Sequence, residues 1–139
     1  MPSIRYQRLA SELLPLANKF YKSQRSPMRV GRSEQVWVAQ QAGIIAACCL
    51  KPVADGHWLT ALLVAREQRQ QGIASQLLNE LRAHSQGPIW LFCAPELLSF
   101  YQRLGFAPCP ALPAELTERL LRYPRKQPLL ALATAQQCG

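Results

Sequence analysis

The sequence predicts an α/β fold built on a mixed sheet, and three observations carry that expectation. Apolar residues recur at helical spacing in two stretches, Leu9 to Tyr21 and Ile73 to Leu81. Around them lie short apolar or alternating runs, bounded by glycine and proline and of the length that strands take. In chain order the elements read β-α-(α)-β-β-β-α-β-α-β-β, an alternation that belongs to α/β proteins.

Ser3 to Arg8 alternates loosely and makes an opening strand. Leu9, Leu13, Leu16, Ala17, Phe20 and Tyr21 then place a helix over 12–23, with Pro15 tolerated near its first turn, where a missing N–H costs nothing. The stretch 24–33, with Pro27 and Gly31, is a loop or a short second helix. Val36 to Gln40 and Ile44 to Leu50 are strands joined through Gln41-Ala42-Gly43, and a second turn at 51–56 leads into the strand Trp58 to Val64. Over 72–82, Ile73, Ala74, Leu77, Leu78 and Leu81 form one apolar stripe, while Gln76, Asn79, Glu80 and Arg82 face away from it. Ile89 to Cys93 is a continuous apolar run suited to a buried strand. Pro95 opens a further helix that Gly105 closes, with Leu97, Leu98, Tyr101 and Leu104 on one face. A short strand at Phe106, a helix over 114–122 and a last strand over 129–133 complete the order.

A chain of 139 residues, 49% apolar and 17% charged, is expected to fold as one domain spanning 1–139 around a single core. No apolar run approaches the ~20 residues that cross a bilayer, and the N-terminus lacks a signal-peptide core, so a cytoplasmic protein without a membrane partner is expected. Cys48, Cys49, Cys93, Cys109 and Cys138 show no Cys-x-x-Cys spacing and read as small buried thiols in a reducing compartment. His57 and His84 add no ligand pattern, so no metal is expected. The net charge of +8 is uneven: residues 1–32 hold seven Lys or Arg against Glu12, a net +6. Residues 119–139 hold Arg119, Arg122, Arg125 and Lys126 with no acid, a net +4. Basic ends suit an anionic cofactor or an acidic substrate. They are not interleaved with aromatics and no DNA or RNA motif is present, which argues against nucleic acid.

The chemistry concentrates at 64–75. An apolar strand ends at Val64, and Arg69-Gln70-Gln71-Gly72-Ile73-Ala74-Ser75 turns into the amphipathic helix. The first turn of a helix leaves N–H groups unpaired, converging on one point with the positive end of the dipole behind them. Gly72 lets a phosphate approach the backbone, and Ala74 keeps the next position small. A strand–turn–helix of this kind is suited to a pyrophosphate.

Val64 through Ala74 resembles the signature Val-x-Pro-x-x-Arg-Gly-x-Gly-Ile-Gly/Ala of the GNAT superfamily of acyl-CoA-dependent N-acyltransferases. Phe100-Tyr101-Gln102-Arg103-Leu104-Gly105-Phe106 resembles the same family's Phe-Tyr-x-Lys-x-Gly-Phe. The two motifs stand in register, and the element order extends the resemblance over nearly the whole chain. It implies a centrally splayed sheet flanked by helices on both faces. It implies acetyl-CoA as co-substrate, its pyrophosphate held by the amides of Arg69, Gln70, Gln71, Gly72, Ile73, Ala74 and Ser75. The backbone of Leu62, Leu63 and Val64 would bind the pantetheine arm as if it were another strand.

The implied activity is transfer of an acetyl group from acetyl-CoA to a primary amine of a small molecule or protein, by direct attack in a ternary complex. Tyr101 would return a proton to the departing thiolate. Some members of the family place a base, a glutamate, where Trp58 stands here; His57 and Glu34 are alternatives, and no base is assigned. The family's first helix and following loop shape the acceptor site. Lys19, Lys22, Arg25, Arg29 and Arg32 in that region point to an acceptor with an acidic group beside its amine. Family members are often dimers, and a homodimer is compatible with this sequence. Three positions depart from the family: Arg66 replaces its proline, Gln70 a glycine, and Ala94 an asparagine that contacts pantetheine. They are compatible with a second reading, a non-catalytic acetyl-CoA-binding module acting on a protein partner.

Overall fold

Among the described residues seven strands and four helices follow one another much as the apolar periodicity requires. The strands are β1 (Arg5–Arg8), β2 (Gln35–Gln40), β3 (Ile44–Val53), β4 (Gly56–Val64), β5 (Ile89–Cys93), β6 (Phe106–Pro108) and β7 (Leu130–Thr134). The helices are α1 (Leu14–Ser23), α2 (Ile73–Ala83), α3 (Leu98–Arg103) and α4 (Ala114–Arg122). The structure, a computed structural model, describes residues 3–31, 33–123 and 128–134. The sheet is mixed and runs in the order β1-β2-β3-β4-β5-β7-β6. β1–β2 and β2–β3 are antiparallel, β4–β5 is parallel, and β5–β7 and β7–β6 are antiparallel again.

By contacts the chain divides into two compact units, 1–51 with 59–85 and 52–58 with 86–139, so β4 begins in one and ends in the other. In the first unit strand alternation sends Val36, Val38, Ala47 and Cys49 to one face, where they pack with Ala17, Phe20 and Tyr21 of α1. Trp37, on the opposite face, meets His84 at the end of α2 with ring centroids 5.8 Å apart. The two helices therefore cover opposite faces of β2 and β3. The stripe of α2 is buried as expected at Ile73, Leu77, Leu78 and Leu81. That of α1 is narrower than the sequence pattern, since Leu13 and Leu16 are exposed. Leu13 falls in a 3-10 turn at Ser11–Leu13, and Leu16 lies about 100° round the helix from Ala17. Pro15 occupies the first turn of α1, and the 24–31 segment is a loop without a second helix among the described residues.

In the second unit Trp58, Trp90, Cys109, Leu116 and Ala133 form a core with Phe92 and Leu112 packed against it. Trp58 and Phe92 are tilted at 5.5 Å, and Arg119 of α4 lies 4.8 Å from the Trp58 ring centroid, a cation–π contact. The helix expected from Pro95 starts as a 3-10 turn, Pro95–Leu97, before α3. The cysteines require a correction. Cys48, Cys49 and Cys93 are buried free thiols, but Cys109 is disulfide-bonded, and Cys138 lies outside the described residues. Which segments fold together decides such a bond, and no spacing rule reads that.

The parallel pair β4–β5 starts where two backbones nearly touch. His57 N–H donates to Pro88 O at 2.9 Å, followed by the pairs His57↔Ile89 and Trp58↔Trp90. Gly87 holds φ +80°, and a Cβ there would lie 2.1 Å from Asp55 O. Gly87→Ala is therefore expected to destabilise the protein by at least about 2 kcal/mol in urea unfolding, from backbone strain and overlap together. An unchanged midpoint would show that the two segments separate without cost.

Candidate functional site

The candidate site grows from an irregularity in β4. Only His57 and Trp58 enter the register with β5, and three residues later Ala61 takes φ +57°, inside an otherwise extended strand. An alanine in the left-handed region costs about 1–2 kcal/mol, so something must hold it there. Tyr21 does so. Its hydroxyl donates to Ala61 O at 2.7 Å and also meets Cys49 Sγ at 3.8 Å. Tyr21 is fully buried, and burial, then the neighbouring Cys49, push its phenol far above the ordinary tyrosine range. It stays a protonated donor. Burial first, then the charge of Glu34, drive the Cys49 thiol up to about 12, partly offset by the bond to Tyr21. Beyond this point Leu62, Leu63 and Val64 are half-buried, unlike Trp58 and Leu59.

Ala65 N–H donates to Ile45 O at 2.8 Å and ends the strand, and a 3-10 turn over Arg66–Gln68 follows. Two side chains tie this turn down. Arg66 N–H donates to Gln24 Oε1 at 3.1 Å, and Arg69 Nε donates to Val64 O at 3.1 Å. Gln70 (φ +65°) and Gly72 (φ +76°) then take left-handed conformations, and α2 starts at Ile73. The family's glycine at position 70 is replaced, yet the backbone keeps the conformation a glycine would take. Arg69, Gln70, Gln71 and Gly72 are exposed, Ala74 and Ser75 half-exposed, and Ile73 anchors the turn in the core.

No side chain caps α2, and a Cβ built on Gly72 would meet nothing within 4 Å. The start of the helix is thus uncapped, with open space beside Gly72 and the positive end of the helix dipole at the turn. That suits a pyrophosphate, which needs unobstructed donors and brings negative charge. Gly72 is required for its φ rather than for room. All ten candidate binding residues, Leu62, Leu63, Val64, Arg69, Gln70, Gln71, Gly72, Ile73, Ala74 and Ser75, thus belong to one strand–turn–helix in the first unit.

Tyr101 belongs to the second unit. It is 8% exposed on α3, edge-on to Phe100 at 5.0 Å and to Phe106 at 5.8 Å. The Phe-Tyr-x-x-x-Gly-Phe spacing is thereby explained locally: Gly105 ends α3, and Phe106 returns as a buried β6 residue against the tyrosine ring. Arg103 is exposed and donates to Ser99 O of its own helix at 3.3 Å. Trp58, at the position where some relatives have a glutamate, is a core residue. His57 is partly buried, its Nδ1 has no partner among the described residues, and burial lowers its pKa below the ordinary histidine range. Glu34 accepts the Gly31 N–H. Among the described residues no group of three or more His, Cys, Asp or Glu could hold a metal.

Sequence reasoning missed Tyr21, Ala61 and Gln24. Tyr21 was legible only as part of the apolar stripe, and nothing in Thr60-Ala61-Leu62 announces a left-handed residue.

Comparison with known proteins agrees with this fold. The acetyltransferase (GNAT) domain family matches residues 32–108, and the chain belongs to that family. Escherichia coli ElaA superposes with TM-score 0.67 at 15% identity, over 96% of this chain and 99% of that one. Tetrahymena GCN5 gives TM-score 0.70 at 13% identity, over 94% and 96%. Arabidopsis thaliana Naa50, in complex with the bisubstrate analogue CoA-Ac-MVNAL, gives 0.66 at 17%, over 94% and 97%. At such identities the likeness is one of fold. No curated protein matches the sequence.

Two substitutions test the local argument. Tyr21→Phe is expected to cost about 1–2 kcal/mol in urea unfolding, by stranding the Ala61 carbonyl, and to weaken acetyl-CoA binding in titration. Lost stability with unchanged binding would reduce the hydroxyl to a structural role. Gln70→Gly is expected to raise stability by about 0.5–1 kcal/mol, because glycine removes the left-handed strain at the expense of chain entropy. A fall in stability would place Gln70 in an interaction that outweighs the strain.

Proposed function

We propose that this protein transfers an acetyl group from acetyl-CoA to a primary amine by direct attack in a ternary complex. The observation that carries the reading is the uncapped start of α2, open above Gly72, directly following a strand broken at Ala61. The amides from Arg69 to Ser75 hold the pyrophosphate, and Arg69 and Gln24 keep the turn that presents them in place. The backbone of Leu62 to Val64, past the end of the β5 register, offers its polar groups to the pantetheine arm. A backbone N–H in that segment stabilises negative charge on the thioester oxygen as it develops.

Acetyl-CoA supplies an activated acetyl group; the acceptor nitrogen forms a bond to the acetyl carbon as the carbon–sulfur bond breaks. Tyr101 gives its phenolic proton to the leaving sulfur, and the nitrogen's surplus proton passes to water. With Trp58 in the core, β4 brings no carboxylate base to its start. The amine attacks in its neutral form, and no residue is assigned as its base.

Acetyl-CoA is expected to raise the melting temperature, and a free-thiol release screen over primary amines should find an acceptor. Tyr101→Phe should then lose about 100-fold or more in turnover while keeping its affinity for acetyl-CoA. No effect of acetyl-CoA at millimolar concentration would overturn the reading. Stabilisation without thiol release from any amine would favour a non-catalytic acetyl-CoA-binding module acting on a protein partner.

A further inference from the structure

Beside α1 the chain folds back on itself and leaves an open hollow of about 370 Å³, on the scale of a small-molecule site. Asn18, Lys19 and Lys22 from the helix line one side, and Ser26, Met28 and Arg29 from the following loop line the other. The fold-back is built by specific bonds. Asn18 Oδ1 accepts Val30 N–H at 2.8 Å, Ser26 Oγ accepts Met28 N–H at 3.1 Å, and Ser26 N–H donates to Tyr21 O at 3.0 Å. Arg25 makes the bend in a left-handed conformation at φ +58°.

These bonds have a chemical consequence. Asn18 Oδ1 and Ser26 Oγ each accept one bond within the fold, and the Asn18 amide N–H₂ and the Ser26 hydroxyl are available as donors. Lys19, Lys22 and Arg29 add three cations, and no carboxylate lines the hollow or pairs with them among the described residues. A concave surface with three cations, available donors and no carboxylate favours an anion. The same segment is fastened to the candidate site from within its unit: Tyr21 holds Ala61 of β4, and Gln24 holds Arg66 at the start of the turn.

We infer that this hollow seats the anionic end of the acceptor, which is a small primary amine carrying a phosphate or carboxylate group. Met28 and Pro27 give its carbon chain an apolar edge. The inference rests on the acetyltransfer reading for the amine end and on the hollow alone for the anionic end.

Two matched pairs of amines, phosphoethanolamine with ethanolamine and β-alanine with propylamine, separate the charge from the amine. With wild-type protein the acidic member of at least one pair is expected to have a KM lower by about tenfold or more, the scale of a charge-assisted contact. Which pair responds tells phosphate from carboxylate. In the triple variant Lys19→Gln, Lys22→Gln, Arg29→Gln that advantage should vanish, while the KM for acetyl-CoA stays unchanged. Equal use of both members by wild type, or a preference that survives in the variant, overturns the inference.

A second measurement needs no turnover. Phosphoethanolamine and β-alanine titrated to millimolar concentration should shift the Asn18 side-chain and Ser26 backbone amide resonances of the wild type and not of the variant. Absence of those shifts in the wild type overturns the inference as well. If the shifts occur but acetyl-CoA fails to bind, the acetyltransfer reading falls, and the assignment of the anion as an acceptor falls with it.

Discussion

A single hydrogen bond, from the Tyr21 hydroxyl to the Ala61 carbonyl at 2.7 Å, carries more of this structure than its ordinary strength suggests. β4 starts as a regular strand, bonded to β5 through His57 and Trp58. A strand that continued in that register would use its backbone groups on its neighbour. The left-handed residue at Ala61 breaks the regular course, and such a break is unfavourable for alanine unless the surroundings impose it. A buried tyrosine is well suited to impose it. Its ring is fixed in the core with Phe20, and its phenol, raised by burial, does not lose its proton. Half-buried Leu62, Leu63 and Val64 follow from that break.

A second irregularity sits at the turn into α2. Gln70 and Gly72 both adopt left-handed conformations, and the helix lacks a capping side chain. Each feature costs stability: strain at Gln70 and unpaired amides at the helix start. The compensations lie close by. Ile73 is buried, Arg69 reaches back to Val64, and Gln24 takes the Arg66 amide. Strain held in place by neighbouring packing is the physical form that a preorganised anion site takes, since donors fixed in advance lose little on binding.

The order of elements and most of their bounds were legible in the sequence because periodicity reports which face of an element is buried. β5 (Ile89–Cys93) and α4 (Ala114–Arg122) have the bounds their residues predict, and α2 differs by one residue at each end. The strand–turn–helix at 64–75 was legible too, since glycine beside an amphipathic run is a local signal. Less was legible where tertiary contacts override local preference. Leu13 and Leu16 match a helical stripe but face solvent, and Cys109 is bonded where its spacing suggests a free thiol. Trp58 could be read as the residue at a base position or as core, and only the packing of Phe92 and Arg119 against it makes it core.

By itself the sequence determined the α/β class, the two motifs and the basic character of the first helix and its loop, because these reside in residue type and spacing. The tertiary structure decided where the strand breaks, which hydroxyl holds the break, and which lysines share a hollow with Arg29. The physical reason is range. Propensity and amphipathic spacing act over a few residues, whereas the Tyr21–Ala61 and Gln24–Arg66 bonds span 40 and 42 positions and exist only once the chain has folded.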